Sequence, residues 1–126
     1  MQLTPTYNVI RNVYKQKPKI KQIDEVSEFI FRTIEKNTGI TKFEIKQKSR
    51  KREIINAKRI YSMLMYNYTD STLATIGLLL GGHDHSSIIH HLNSLNDLIM
   101  WDSDYKKVYQ NCELAVSSIK NKVRFK

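Results

Sequence analysis

Two adjacent glycines, Gly81 and Gly82, part a short apolar segment ending in Leu78-Leu79-Leu80 from a second segment that opens on His83-Asp84-His85-Ser86-Ser87. This juxtaposition limits the chain more than any other feature. Glycine tolerates the positive φ that a tight reversal requires. An Asp just before an apolar-periodic run can accept the free N–H groups of a helix start. After Asp84, Ile88, Leu92, Leu95 and Ile99 fall within about 60° of one another on a 3.6-residue wheel. A short helix, a glycine turn and a longer amphipathic helix make up a helix-turn-helix. The opposite arc of the second helix carries Ser86, His90 and Asn93, with Ser87 toward one edge. These short or flat hydrogen-bonding groups suit a helix that reads base edges in a DNA major groove. They suit equally the solvated face of an ordinary helix.

The stretch resembles the signature of the C-terminal DNA-binding domain (domain IV) of the bacterial chromosomal replication initiator DnaA, which reads Gly-Gly-Arg-Asp-His-Thr-Thr-Val. Both glycines, Asp84 and His85 match; Ser86 and Ser87 stand for the two threonines, and Ile88 for valine. Upstream, Thr69, Leu73, Ile76 and Gly77 match the family's Thr-x-x-x-Leu-x-x-Ile-Gly run, and Ser49 to Arg59 resembles its basic loop leading into a long helix. The resemblance spans roughly residues 20–119. It implies an all-α, Trp-repressor-like helical bundle that binds double-stranded DNA, with replication proteins as further candidate partners. It also implies a division of labour. Asp84, His85, Ser86 and Ser87 would read the major groove, assisted by His90 and Asn93. Arg50 would enter the adjacent minor groove, and Lys48, Arg52, Lys58 and Arg59 would hold phosphates.

His83 stands where the family has arginine. A bidentate Arg–guanine contact is worth about 1–3 kcal/mol of discrimination, and a neutral histidine offers at most one donor instead. Ser86 and Ser87 also lack the threonine methyls that pack on thymine. The preferred site is therefore expected to differ from the family's A/T-rich box, with weaker specificity.

Charge supports a polyanionic partner. The chain of 126 residues carries a formal net charge of +9, which favours nucleic acid. Its distribution is uneven. Lys42, Lys46, Lys48, Arg50, Lys51, Arg52, Lys58 and Arg59 crowd residues 42–59, whereas Ile60 to Tyr105 holds no Lys or Arg and five aspartates. The expected recognition helix is thus neutral to slightly acidic, and attraction to phosphates must come from the loop before it. Such a charge run is otherwise an ordinary solvated surface.

The remaining chain reads as one domain at 20–119 between a basic tail or linker at 1–19 and a basic tail at 120–126. Helices are predicted over 24–37, with Asp24 as cap and Gly39 as stop, over 53–68, over 73–80, to about Met100 and over 104–119. A short turn at 41–46 would point Phe43 or Ile45 inward. One of the three leucines at 78–80 is a candidate exposed contact for a partner. The single cysteine, Cys112, sits in an apolar context and reads as a buried thiol. No apolar run is long enough to cross a bilayer, and residues 1–18 lack the apolar stretch of a secretory signal. A cytoplasmic, nucleoid-associated protein without a membrane partner is expected.

Four histidines invite a metal reading, but His90 and His91 point about 100° apart on a helix, away from the usual i, i+4 pairing. No nucleophile–base set and no Gly-x-x-x-x-Gly-Lys-[Ser/Thr] loop occurs. No enzyme activity, no cofactor, no metal and no nucleotide are therefore expected. The chain reads as a separated domain or as a stand-alone relative, such as a phage or mobile-element regulator. A protein-interaction module with mainly nonspecific DNA affinity is the alternative function. With no cation on the recognition helix, His83, His85 and His90 carry the expectation that DNA binding tightens between about pH 8 and pH 6. Affinity measured at both values and fixed salt checks it.

Overall fold

The computed structural model describes residues 23–124, with side chains described to Ile119. The tail expected at 1–19 lies outside the described residues. Six α-helices follow in order: α1 (Ile23–Thr38), α2 (Lys42–Ile45), α3 (Arg52–Tyr68), α4 (Leu73–Leu79), α5 (His85–Trp101) and α6 (Ser103–Arg124). The all-α bundle with a helix-turn-helix agrees with the sequence reading.

Local chemistry explains most boundaries. Gly39 ends α1 at φ +82, and its N–H donates to the Glu35 carbonyl. Asp24 lies inside the first turn of α1 rather than at its cap, where a carboxylate still favours the positive end of the helix. Thr41 and Glu44 form a reciprocal capping box on α2. That short helix turns Ile45 fully inward and leaves Phe43 73% exposed. Thr72 caps α4 and Asp84 caps α5, each accepting the backbone N–H three residues on. Asp102 Oδ1 accepts the N–H of Tyr105 and so starts α6. This helix continues to Arg124, past the boundary expected at 119. Nothing local interrupts it: no Gly or Pro occurs between Tyr105 and Arg124.

Helix α3 is the spine, in contact with all five other helices. From Ala57 to Tyr68 every residue except Arg59 is buried. A helix buried on all sides must satisfy its polar groups internally. Tyr61 does so through Ser27, whose Oγ lies 2.7 Å from the phenol oxygen, while Phe31 stacks on the Tyr61 ring at 4.3 Å. Burial pushes the Tyr61 hydroxyl up to about 12. At the two ends of the spine, Tyr105 donates to the Asn56 carbonyl and Tyr68 to Glu113. Cys112 and Val116 complete the α6 face of the core.

The turn between α4 and α5 depends on a close approach. The Gly77 carbonyl accepts the N–H groups of both Gly82 and His83 at 2.9 Å. A Cβ on Gly77 would lie 1.9 Å from the His83 carbonyl oxygen. Gly81 and Gly82 adopt φ +109 and +95, and a Cβ on Gly81 would come within 2.5 Å of the Lys46 carbonyl. The turn thus presses on α4 from one side and on the start of the basic loop from the other. Gly77→Ala should destabilise the fold by at least about 2 kcal/mol, because backbone atoms on both sides must move. Gly82→Ala, with open space around it, should cost only the positive-φ penalty of about 1 kcal/mol. Denaturant titration of the two variants checks the order.

Candidate nucleic-acid interface

The candidate interface lies where the basic loop meets the start of α5. One surface hollow is lined by Lys48, Ser49, Arg50 and Lys58 on the loop side and by Gly82, His83, Asp84 and Ser87 on the turn side. An adjoining hollow extends it along α5 past Ser86, His90 and His91, opposite Ile55 and Arg59 of α3. Residues about 30 positions apart therefore share one concave face.

The loop at 46–51 is ordered by its own short-range bonds. Gln47 N–H donates to the Glu44 carbonyl and Lys51 N–H to Ser49 Oγ. The Lys58 ammonium donates to the Gln47 carbonyl at 2.8 Å and lies 3.2 Å from His83 Nε2. Lys58 is only 3% exposed. It reaches the floor of the groove as an anchor tying α3, loop and turn together, whereas the sequence reading had it as a free phosphate contact. Burial lowers its pKa. No carboxylate among the described residues pairs with it, so its charge is felt in the groove.

His83 is set to accept rather than to donate at Nε2, since an ammonium has donors only. A neutral ring protonated on Nδ1 fits this contact. Burial and the Lys58 charge both lower the His83 pKa, outweighing the opposite pull of Asp84. Both effects act against the gain of charge expected of His83.

The other expected residues fall into two groups. Lys48, Arg50, Arg52, Asp84, His85, Ser86 and His90 are exposed, and Ser87 and Arg59 are half-buried. Asp84 is committed to the cap, its Oδ1 accepting from Ser87 N–H at 2.9 Å, which lowers its pKa. Arg59 donates to Asn56 Oδ1, while its Nε finds no partner among the described residues. Asn93 does not face outward as expected. It is 9% exposed; α5 packs on α3, α4 and α6 and so buries more than one stripe. Ser49, Ile55 and His91 line the hollows without having been singled out for them. Only the position of Ser49 inside the basic loop was a signal in the sequence.

One local rule is broken here. The first turn of α3 starts from Lys51, which makes no side-chain cap, and Arg52 follows as its first residue. Cations at a helix N-terminus oppose the helix dipole, and free N–H groups there favour anions. Such conflicts concentrate at functional sites. Among the described residues no three His, Cys, Asp or Glu side chains group to hold a metal ion, and no helix is long and apolar enough to cross a membrane.

His91 lies under this face, 8% exposed, its ring 6.0 Å from His83. Burial, assisted by the charges of His83, Arg59, His90 and Lys58, pushes it down to about 4. The folded state holds it neutral while the unfolded chain protonates near 6.5. Stability from this group is complete above about 6.5 and is lost as pH falls toward 4, a change of roughly 2–3 kcal/mol. Denaturation midpoints measured from neutral to acid pH should fall, and His91→Leu should flatten that dependence. In DNA titrations, His83→Gln should leave any affinity change between about pH 8 and pH 6 as it is in the unaltered protein.

Comparison with known proteins adds to this geometry. The family described as bacterial DnaA protein helix-turn-helix matches residues 27–94. The chain is similar to the chromosomal replication initiator protein DnaA of Chlorobaculum tepidum, 42% identical over 69 residues, which cover 55% of this chain and 14% of the relative. It is similar to that of Streptococcus agalactiae, 33% over 86 residues, covering 68% and 17%. It is also similar to that of Streptococcus mutans, 31% over 110 residues, covering 87% and 23%. The chain thus spans less than a quarter of the length of these relatives. No solved structure matches it.

Proposed function

The chain belongs to the bacterial DnaA helix-turn-helix family, and on that premise we propose that it is a sequence-selective reader of double-stranded DNA. Its relatives are named for initiating chromosomal replication, and the kind of site proposed here is a replication-origin box or a variant of one. The start of α5 enters the major groove, with His85, Ser86 and Ser87 at base edges and His90 further along. Asp84 helps by holding the helix start in place. Arg50 occupies the neighbouring minor groove, where a planar, permanently charged fork suits the narrow, negative floor of A/T-rich DNA. Lys48, Arg52 and Arg59 bind phosphates and fix register. Lys58 supplies field and rigidity from beneath.

The observation that carries this reading is the groove shared by the cationic loop and the start of α5. Base-reading and phosphate-holding groups there sit on one face, although the recognition helix has no cation of its own.

Selection from a random double-stranded pool at near-physiological salt tests it, with unaltered protein and Arg50→Ala. An enriched motif is expected, blurred at its A/T-rich edge in the variant. The slope of log K against log salt should drop by roughly 1 if Arg50 releases one counterion equivalent. Absence of enrichment, with binding that disappears as salt rises, would replace this reading by a nonspecific, protein-interacting module. Leu78, 72% exposed on α4, would then be the first contact to test.

A further inference from the structure

His83 is held at its backbone and at one ring nitrogen, while the other ring nitrogen stays open. Its N–H donates to the Gly77 carbonyl at 2.9 Å, and its own carbonyl packs against Gly77 in space that a Cβ would occupy. Its Nε2 lies 3.2 Å from the Lys58 ammonium, which the Gln47 carbonyl fixes at 2.8 Å. That ammonium belongs to a buried side chain of the spine helix, so the contact is part of the fold. An ammonium only donates, so Nε2 accepts and the proton of the neutral ring sits on Nδ1. Burial and the Lys58 charge keep the ring neutral to lower pH than usual. The two nitrogens of an imidazole point in diverging directions, so the Nδ1–H turns away from Lys58 and the floor of the groove. His91 Nδ1 beneath is buried without a partner among the described residues. His83 Nδ1, in contrast, is open to solvent, and no described residue bonds it. His83 lines both hollows of the candidate interface.

We propose that His83 is a fixed single donor that reads the major-groove edge of a guanine, and that Lys58 is the positioning residue that fixes it. The guanine contact rests on the DNA-reading function proposed above; the Lys58–His83 pairing does not. Guanine presents two neighbouring acceptors, N7 and O6, and a lone N–H needs nothing else. Adenine sets an N6–H donor beside its N7, and thymine sets a methyl beside its O4, so each offers the ring one acceptor. Cytosine presents an N4–H donor alone, and donor then faces donor. The expected order is guanine first, adenine and thymine next, cytosine last. A histidine free to exchange its tautomer would lose this distinction, because its bare nitrogen could accept from cytosine. Lys58 removes that freedom by occupying Nε2 before any DNA is bound, which is how a supporting shell preorganises a contact.

The experiment has two readouts on the full chain. Ring ¹⁵N spectra taken without DNA, at about pH 8 where imidazoles are neutral, should show His83 with a protonated Nδ1 and a bare Nε2. Lys58→Met should turn this into a mixture of both tautomers. The second readout is affinity for the site enriched by selection, with each guanine replaced in turn by 7-deazaguanine, which lacks N7. One replacement should cost the unaltered protein about three- to tenfold, the loss of one hydrogen bond, and should cost His83→Ala nothing. At the same position Lys58→Met should accept cytosine more readily than the unaltered protein does. If Lys58→Met fails to fold, the spectrum of the unaltered protein and the His83→Ala series still decide. A proton found on Nε2 would make Lys58 a neutral acceptor and overturn the inference, leaving the DNA-reading function in place. A loss in His83→Ala that is equal for all sequences would put the contact on a phosphate and overturn it too. Absence of any enriched site would overturn the DNA-reading function and the guanine contact together, whatever the ring spectra show.

Discussion

The position of α5 depends on the close approach at Gly77. Its carbonyl holds two consecutive N–H groups of the turn, and its missing Cβ leaves the space that the His83 carbonyl occupies. Both conditions come from one residue, and neither a larger side chain nor a looser turn would meet them. Gly81 repeats the device on the other side by letting the turn approach Lys46. Through these two contacts α4, the start of α5 and the basic loop become one rigid corner. The Lys58 ammonium then closes the corner from below by joining Gln47 to His83. The DNA-reading role proposed above needs such a corner, because groove contacts tolerate little displacement and the loop and helix start would meet two neighbouring grooves together.

Electrostatics and shape are divided between segments. The stretch from Ile60 to Tyr105 supplies shape, hydrogen-bonding groups and the core-facing stripe of α5, and it has no cation. Residues 42–59 supply charge. The division follows from packing. Most of α3 beyond Arg59 is enclosed by other helices, and burying unpaired ammonium groups there would be costly. Lys58, the last lysine before that enclosed run, shows the limit: it is tolerated because a carbonyl and a neutral imidazole receive it. His83, where arginine occupies the family's signature, fits this arrangement better than a second permanent cation beside Lys58 would. A guanidinium would repel that ammonium unless it turned outward, toward the partner.

The stop of α1 and the start of α5 were legible because Gly39 and Asp84 act locally, each bonding within a few residues of its own position, as Thr41, Thr72 and Asp102 also do in the structure. The apolar stripe of α5 was legible for the same reason, since Ile88, Leu92 and Leu95 follow the helical repeat and are buried. Asn93 was misread because the wheel assumes one buried face, whereas α5 is packed against α3, α4 and α6. The end of α6 was misread because a basic composition says nothing about where hydrogen bonding stops.

By itself the sequence determined the class, the order of the helices, the turn at Gly81-Gly82 and the separation of the basic segment at 42–59 from the cation-free stretch after it. All of these depend on spacing and on interactions within a few residues. Only the tertiary structure decided which polar groups are available. Lys58 and Asn93 turn inward, His83 becomes an acceptor, and His91 stays neutral beneath the groove. Availability depends on which neighbours remove water from a side chain, and those neighbours come from segments far away along the chain. A local pattern cannot encode that distance, whereas packing around the buried spine α3 sets it directly.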